Sequence, residues 1–124
     1  MIFDFSDYLI TGTAHNSFYG IHNNRMAAYI AQNGLCYVTA KPLIVKEREL
    51  HHRLPRYYGG TDTADNLILL SKKVHRLVHS YNNSEIYQLL REVEPTVAQL
   101  RRINQLRFEA HRQPIDYSYF ENVS

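Results

Sequence analysis

The stretch that most restricts how this chain can fold runs from Arg48 to His79, where two short β-type runs are split by a glycine-broken loop and followed at once by a helix start. The first strand is expected around Arg48–His52. The loop Arg53–Asp65 holds Pro55 and Gly59-Gly60, turn formers that stop either a helix or a ladder. Asn66-Leu67-Ile68-Leu69-Leu70 is a compact second strand. Ser71 is a natural N-cap for a helix Lys72–Ser80, whose apolar face is Val74, Leu77, Val78 and Tyr81. The expected order is strand, loop, strand, helix.

The flanks read less regularly. Residues 1–18 mix aromatic residues with Asp, Gly, Thr and Asn without a sustained period and are expected to form an irregular arm. With Asn23 or Asn24 as N-cap, Arg25–Gln32 reads as a helix with Met26, Tyr29 and Ile30 on one face, closed by Asn33-Gly34. Leu35–Val38 is expected as a short strand. Ser84 caps a helix Glu85–Val93 that Pro95 breaks. Thr96 caps a last helix from Val97 to about Arg112, burying Val97, Leu100, Ile103, Leu106 and Ala110 while presenting Arg101, Arg102 and Arg107. Residues 113–124 read as a loosely ordered tail. At 124 residues the chain is long enough for one modest core and too short for two, so residues 19–112 are expected to be one α+β domain.

Four histidines carry the chemistry. His75 and His79 lie four apart on the expected helix, so both imidazoles project from one face, at the edge of its buried side, and can ligate one ion. His51-His52 is different, because consecutive strand residues point to opposite faces. One can join the ion while the other stays unligated and available as a base. Asn66 stands between the two pairs, where a carboxamide can hold a neighbouring imidazole or a backbone carbonyl without adding charge. A single cysteine, Cys36, excludes an intrachain disulfide and the paired Cys-x-x-Cys knuckles of a structural zinc site, so any ion falls to His, Asp, Glu or Asn. The net charge of +2 is too mild to name a partner. Its distribution is more telling, since residues 41–80 carry eight Lys/Arg against four Asp/Glu. The start Met1–Asp7 lacks the basic and apolar regions of a signal peptide, and no run approaches a membrane span. The expectation is a soluble, cytoplasmic protein in a reducing compartment.

Taken together, Glu49-Leu50-His51-His52-Arg53-Leu54-Pro55, Gly59-Gly60-Thr61-Asp62, Asn66-Leu67-Ile68-Leu69-Leu70 and Val74-His75-Arg76-Leu77-Val78-His79 resemble the HNH endonuclease family. Tyr19–Arg25, Ala31–Thr39 and Ile103–Arg107 are further similar to the HNH module at the C-terminus of group II intron reverse transcriptases, so the resemblance covers roughly residues 19–112. Two departures stand out. Members often brace the fold with paired cysteines, whereas only Cys36 is present here, and the chain carries no reverse transcriptase portion.

The resemblance implies a ββα-metal (His-Me finger) core with a preceding helix and two C-terminal helices. It implies that His51, His75 and His79 hold one divalent ion, that His52 is the general base, and that Asn66 orients His52. The reaction would be hydrolysis of phosphodiester bonds in double-stranded DNA to 5′-phosphate and 3′-hydroxyl ends. An all-histidine set favours Zn²⁺, Ni²⁺ or Mn²⁺, with Mg²⁺ kept in the set because phosphate and water supply the remaining oxygens. Arg48, Arg53, Arg56, Lys72, Lys73 and Arg76 are candidate phosphate contacts, and Arg101, Arg102 and Arg107 a second such face. Tyr57 and Tyr58 are expected to cover the core. A separately encoded reverse transcriptase or other specificity partner is a candidate partner, and the sequence does not say whether one supplies specificity. The competing readings are a non-catalytic nucleic-acid-binding module stapled by four histidines, and an inactive remnant of an intron-encoded protein.

Overall fold

The computed structural model describes residues 17–122, so most of the expected N-terminal arm lies outside the described residues. The element order is α1 (Ser17–Ala31), β1 (Arg48–His52), β2 (Leu67–Ser71), α2 (Lys72–His79), α3 (Asn83–Val93) and α4 (Val97–Glu109). Among the described residues this is an α+β arrangement with one two-stranded antiparallel sheet and four α-helices. No helix among the described residues is long and apolar enough to cross a membrane.

The two strands pair from Arg48 opposite Ser71 to His52 opposite Leu67. In β2, Leu67, Ile68, Leu69 and Leu70 are all buried, so both faces of this strand are covered, which is why it reads as an unbroken apolar run. Its outer edge would leave Leu69 with an unpaired backbone N–H and C=O. The Gln32 carboxamide acts as a substitute strand there: its Oε1 accepts from Leu69 N at 2.9 Å and its Nε2 donates to Leu69 O at 2.9 Å. Tyr37 N adds a second donor to Leu69 O. The open edge is thereby closed by α1 and the loop after it.

Ser71 caps α2, its hydroxyl accepting from Val74 N, and Val74, Leu77 and Val78 are completely buried. Thr96 and Gln99 form a reciprocal capping box at the start of α4, satisfying the backbone N–H groups of Thr96 and Gln99. Leu100, Ile103 and Leu106 of α4 join Leu90 of α3 and the α2 face in one core.

Several local expectations are overturned. Helix α1 begins at Ser17, so Asn23 and Asn24 lie inside it and not at its cap. A tertiary bond explains the tolerance at Asn24, whose Nδ2 donates to Asp62 O at 2.7 Å. Among the described side chains of that helix Ala28 is buried, while Ile30 is exposed. Leu35–Val38 is not a strand. Asn33, Gly34 and Ala40 all have positive φ, and the resulting reversals leave only an isolated bridge between Leu35 and Pro42. Helix α3 is capped by Asn82, which accepts from Glu85 N, and so starts before Ser84. Helix α4 stops at Glu109, because His111 turns the backbone into the left-handed region at φ 61°. Tyr81 and Val97 are exposed. The tail is more ordered than expected as far as residue 122: Ile115 is buried and clasped by both ends of the Asn104 amide, and Tyr119 donates to Leu90 O.

Candidate metal centre

Strand periodicity puts Glu49 and His51 on one face of β1 and Leu50 and His52 on the other. The face bearing His51 looks at α2. There the rings of His51, His75 and His79 gather, with centroids 5.3, 5.0 and 4.8 Å apart. One nitrogen of each can be chosen so that all three lie within 4.8 Å of one another. His51 is 1% exposed, and His75 and His79 are half-buried at the edge of the helix face, as their spacing implied.

The state of these rings suits an ion. Burial, followed by the charges of His79 and His75, pushes His51 down to about 3. Burial also pushes His79 down to about 4, with His75, Arg112 and Arg107 adding to the effect. Both rings are therefore neutral at neutral pH and keep a lone pair. His79 Nε2 faces His51 Nδ1 at 3.2 Å, close to the roughly 3.3 Å expected between two nitrogens on one tetrahedral ion with N distances of about 2.0–2.1 Å. The donor set thus fits a borderline divalent cation.

Glu49, which the sequence reading did not single out, completes the group. Its Oε1 lies 2.8 Å from His75 Nδ1. An ionised carboxylate can only accept, so Nδ1 carries the proton and Nε2 keeps the lone pair for an ion. The signal was present in the sequence: Glu49 is two residues before His51 on a strand, and so shares its face.

His52 stands apart from the three rings. Its Nε2 lies 2.8 Å from Asp62 Oδ1, and the same oxygen accepts from Arg56 Nε at 3.0 Å and Nη2 at 2.8 Å. Bonds to His52 and Arg56 hold the Asp62 carboxyl below the usual carboxylate range. Asn66 makes no direct bond to His52, contrary to expectation. Its amide accepts from Leu54 N at 2.8 Å and donates to Leu54 O at 3.0 Å and Thr61 O at 2.8 Å. It pins the two ends of the loop that carries Asp62, so its hold on His52 is indirect. The same close packing demands Gly60, where an added Cβ would sit 1.6 Å from Leu54 O.

The candidate phosphate contacts are mostly engaged within the protein. Arg53 forms a two-pronged pair with Glu109, Arg56 pairs with Asp62, Lys73 with Glu92 and Arg76 with Glu85, while Arg48 lies over the Tyr29 ring. Lys72 is exposed and has no ion pair among the described residues. Arg107 is not on an exposed face at all. It is 3% exposed and donates to Leu77 O, Ser80 O and Gln113 O, so it braces the end of α2 and cannot present itself to DNA. Arg101 and Arg102 are exposed. Tyr57 and Tyr58 do not cover the core either: Tyr57 is 88% exposed, and Tyr58 stacks on His111 at 3.8 Å.

No protein-family model matches the chain, and no curated protein or solved structure matches it.

Proposed function

We propose that this chain is a metal-dependent DNA endonuclease of the HNH type, with β1, β2 and α2 as a ββα-metal core. The observation that carries this reading is the division of the histidines. His51, His75 and His79 converge on one point, while His52, adjacent to His51, is turned to the other face of the strand and held by a carboxylate. A structural staple uses every ligand it has. A hydrolase needs one imidazole left over as a base.

In this reading His51, His75 and His79 hold the ion, with Glu49 fixing the His75 tautomer. A divalent ion held by these three imidazoles would supply positive charge to stabilise the developing negative charge on phosphate and leaving-group oxygens. His52 takes a proton from the attacking water, and cleavage leaves a 5′-phosphate and a 3′-hydroxyl. Asn66 holds the loop that carries Asp62. The donor chemistry favours Zn²⁺, Ni²⁺ or Mn²⁺, and Mg²⁺ remains in the set through phosphate and water oxygens. Lys72 and the half-exposed cations around it would meet the backbone of a duplex without reading its sequence, in competition with their present carboxylate partners. The motif set resembles that of HNH modules of group II intron reverse transcriptases, which makes a separate specificity partner a candidate in this reading.

Supercoiled plasmid incubated with the purified protein and Mg²⁺, Mn²⁺, Ni²⁺ or Zn²⁺ tests this directly. Nicked or linear products that vanish with a chelator are expected. Intact plasmid with every ion, despite measurable metal binding, would leave a non-catalytic module stapled by His51, His75 and His79 as the better account.

A further inference from the structure

We propose that Asp62 is a positioning residue for the hydrolytic reaction, holding His52 by its Nε2–H so that Nδ1 carries the lone pair that receives the proton from water. This rests on the nuclease reading above for its consequence, though not for its geometry. Asp62 accepts two N–H groups of Arg56 on Oδ1, which keeps the carboxyl ionised and therefore acceptor-only. The ring nitrogen 2.8 Å from that same oxygen is consequently the protonated one. A neutral imidazole has a single N–H, so its other nitrogen is the base.

Asp62 is built in rather than loosely placed. Its own carbonyl accepts from Asn24 Nδ2 at 2.7 Å, and the carbonyl of the preceding Thr61 accepts from Asn66 Nδ2 at 2.8 Å. His52 is fixed in the β1–β2 ladder opposite Leu67. Both ends of the imidazole–carboxylate bond thus stand on pinned backbone, which suits orientation and argues against a swinging plug over Nε2. The sequence reading gave this orienting duty to Asn66. The geometry moves it to Asp62 and leaves Asn66 as the anchor of its loop.

The step balances as follows. An O–H bond of water breaks, its proton passes to His52 Nδ1, and the electron pair left on oxygen forms the new bond to phosphorus. The bond from phosphorus to the 3′ oxygen breaks, and that oxygen is protonated from solvent. The imidazolium that results stays beside the Asp62 carboxylate.

The test compares the full chain with Asp62→Asn and Asp62→Ala. Plasmid nicking with Mn²⁺ gives kcat and KM, calorimetry with Mn²⁺ alone gives metal affinity, and ¹⁵N spectra of the imidazoles give the His52 tautomer. The expected result is a kcat loss on the order of 10²-fold, within the usual contribution of an acid–base device. KM and the metal isotherm should not change, and the parent His52 should be the Nε2–H tautomer, with that preference lost in Asp62→Ala. A kcat equal to or above the parent's overturns the proposal and makes Asp62 a loop anchor or a plug. A parent spectrum showing Nδ1–H overturns it as well, and this readout stands even if a variant fails to fold. If the parent cuts no DNA with any ion, the nuclease reading fails, and with it the catalytic consequence drawn here. The parent spectrum then reports separately whether Asp62 fixes the ring.

Discussion

His51 and His52 are neighbours in sequence and opposites in environment. The strand turns one ring into a buried group of imidazoles and the other toward the Asp62 loop, so two identical side chains acquire different chemistry from backbone geometry alone. Burial has a measurable consequence for the first group. His51 and His79 titrate near 3 and 4 in the fold, against about 6.5 in an unfolded chain. Their folded values are depressed, so the unfolded chain binds protons that the folded one refuses as pH falls below about 6.5. Stability is full above that pH and declines toward 4 and then 3. Urea unfolding in the presence of chelator should therefore show a lower midpoint at pH 5 than at pH 7.5. Equal midpoints would mean the rings are not buried as described. Glu49 acts on the third ring, and Glu49→Ala should weaken Mn²⁺ or Zn²⁺ binding about 10- to 100-fold, as loss of a carboxylate behind a ligating histidine typically does. An unchanged calorimetric isotherm would remove it from the group.

Among the elements, the loop between β1 and β2 is the one whose shape decides the site. Gly60 lies against the Leu54 carbonyl so closely that a methyl group cannot fit. Gly60→Ala should destabilise the fold by about 1–3 kcal/mol, the range for overpacking, and should loosen Asp62 and hence His52. A melting temperature equal to the parent's would contradict this. The pattern of what could be read in advance follows from range. The β1 bounds, the Ser71 and Thr96 caps and the burial of Val74, Leu77 and Val78 on α2 depend on residues within one turn or one strand, and these were legible. Tyr81, expected on the same face, lies beyond the helix and is exposed. The strand expected at Leu35–Val38 failed because the apolar Cys36 and Val38 are buried by three positive-φ reversals, without a ladder. Within the site, the pairing of His75 with His79 was legible from spacing, and His51 as the third ring was what the family resemblance implied. The duties of Asp62 and Glu49 were not, because each depends on a side chain reaching across a loop or from strand to helix. Arg107 was misread for the same reason: its place on α4 gives no hint that the end of α2 waits there to be capped.

At the scale of the molecule, α4 supports the short helix that bears His75 and His79. Arg107 donates to carbonyls at the end of α2, and Arg112 donates to His79 O, so two cations sit at the negative end of that helix dipole. Arg107→Ala leaves several buried carbonyls unpaired, and a loss of at least about 3 kcal/mol is expected from denaturant unfolding. A loss under about 1 kcal/mol would show that α2 stands without it. In the proposed reading the arrangement serves one division of labour, three imidazoles for an ion and one for a proton. The most direct measurement of that division is His52→Ala, examined in parallel by metal calorimetry and by plasmid nicking. The account predicts an isotherm matching the parent's and a nicking rate lower by about 10²- to 10⁴-fold. A weakened isotherm, or a variant that nicks as fast as the parent, would contradict it.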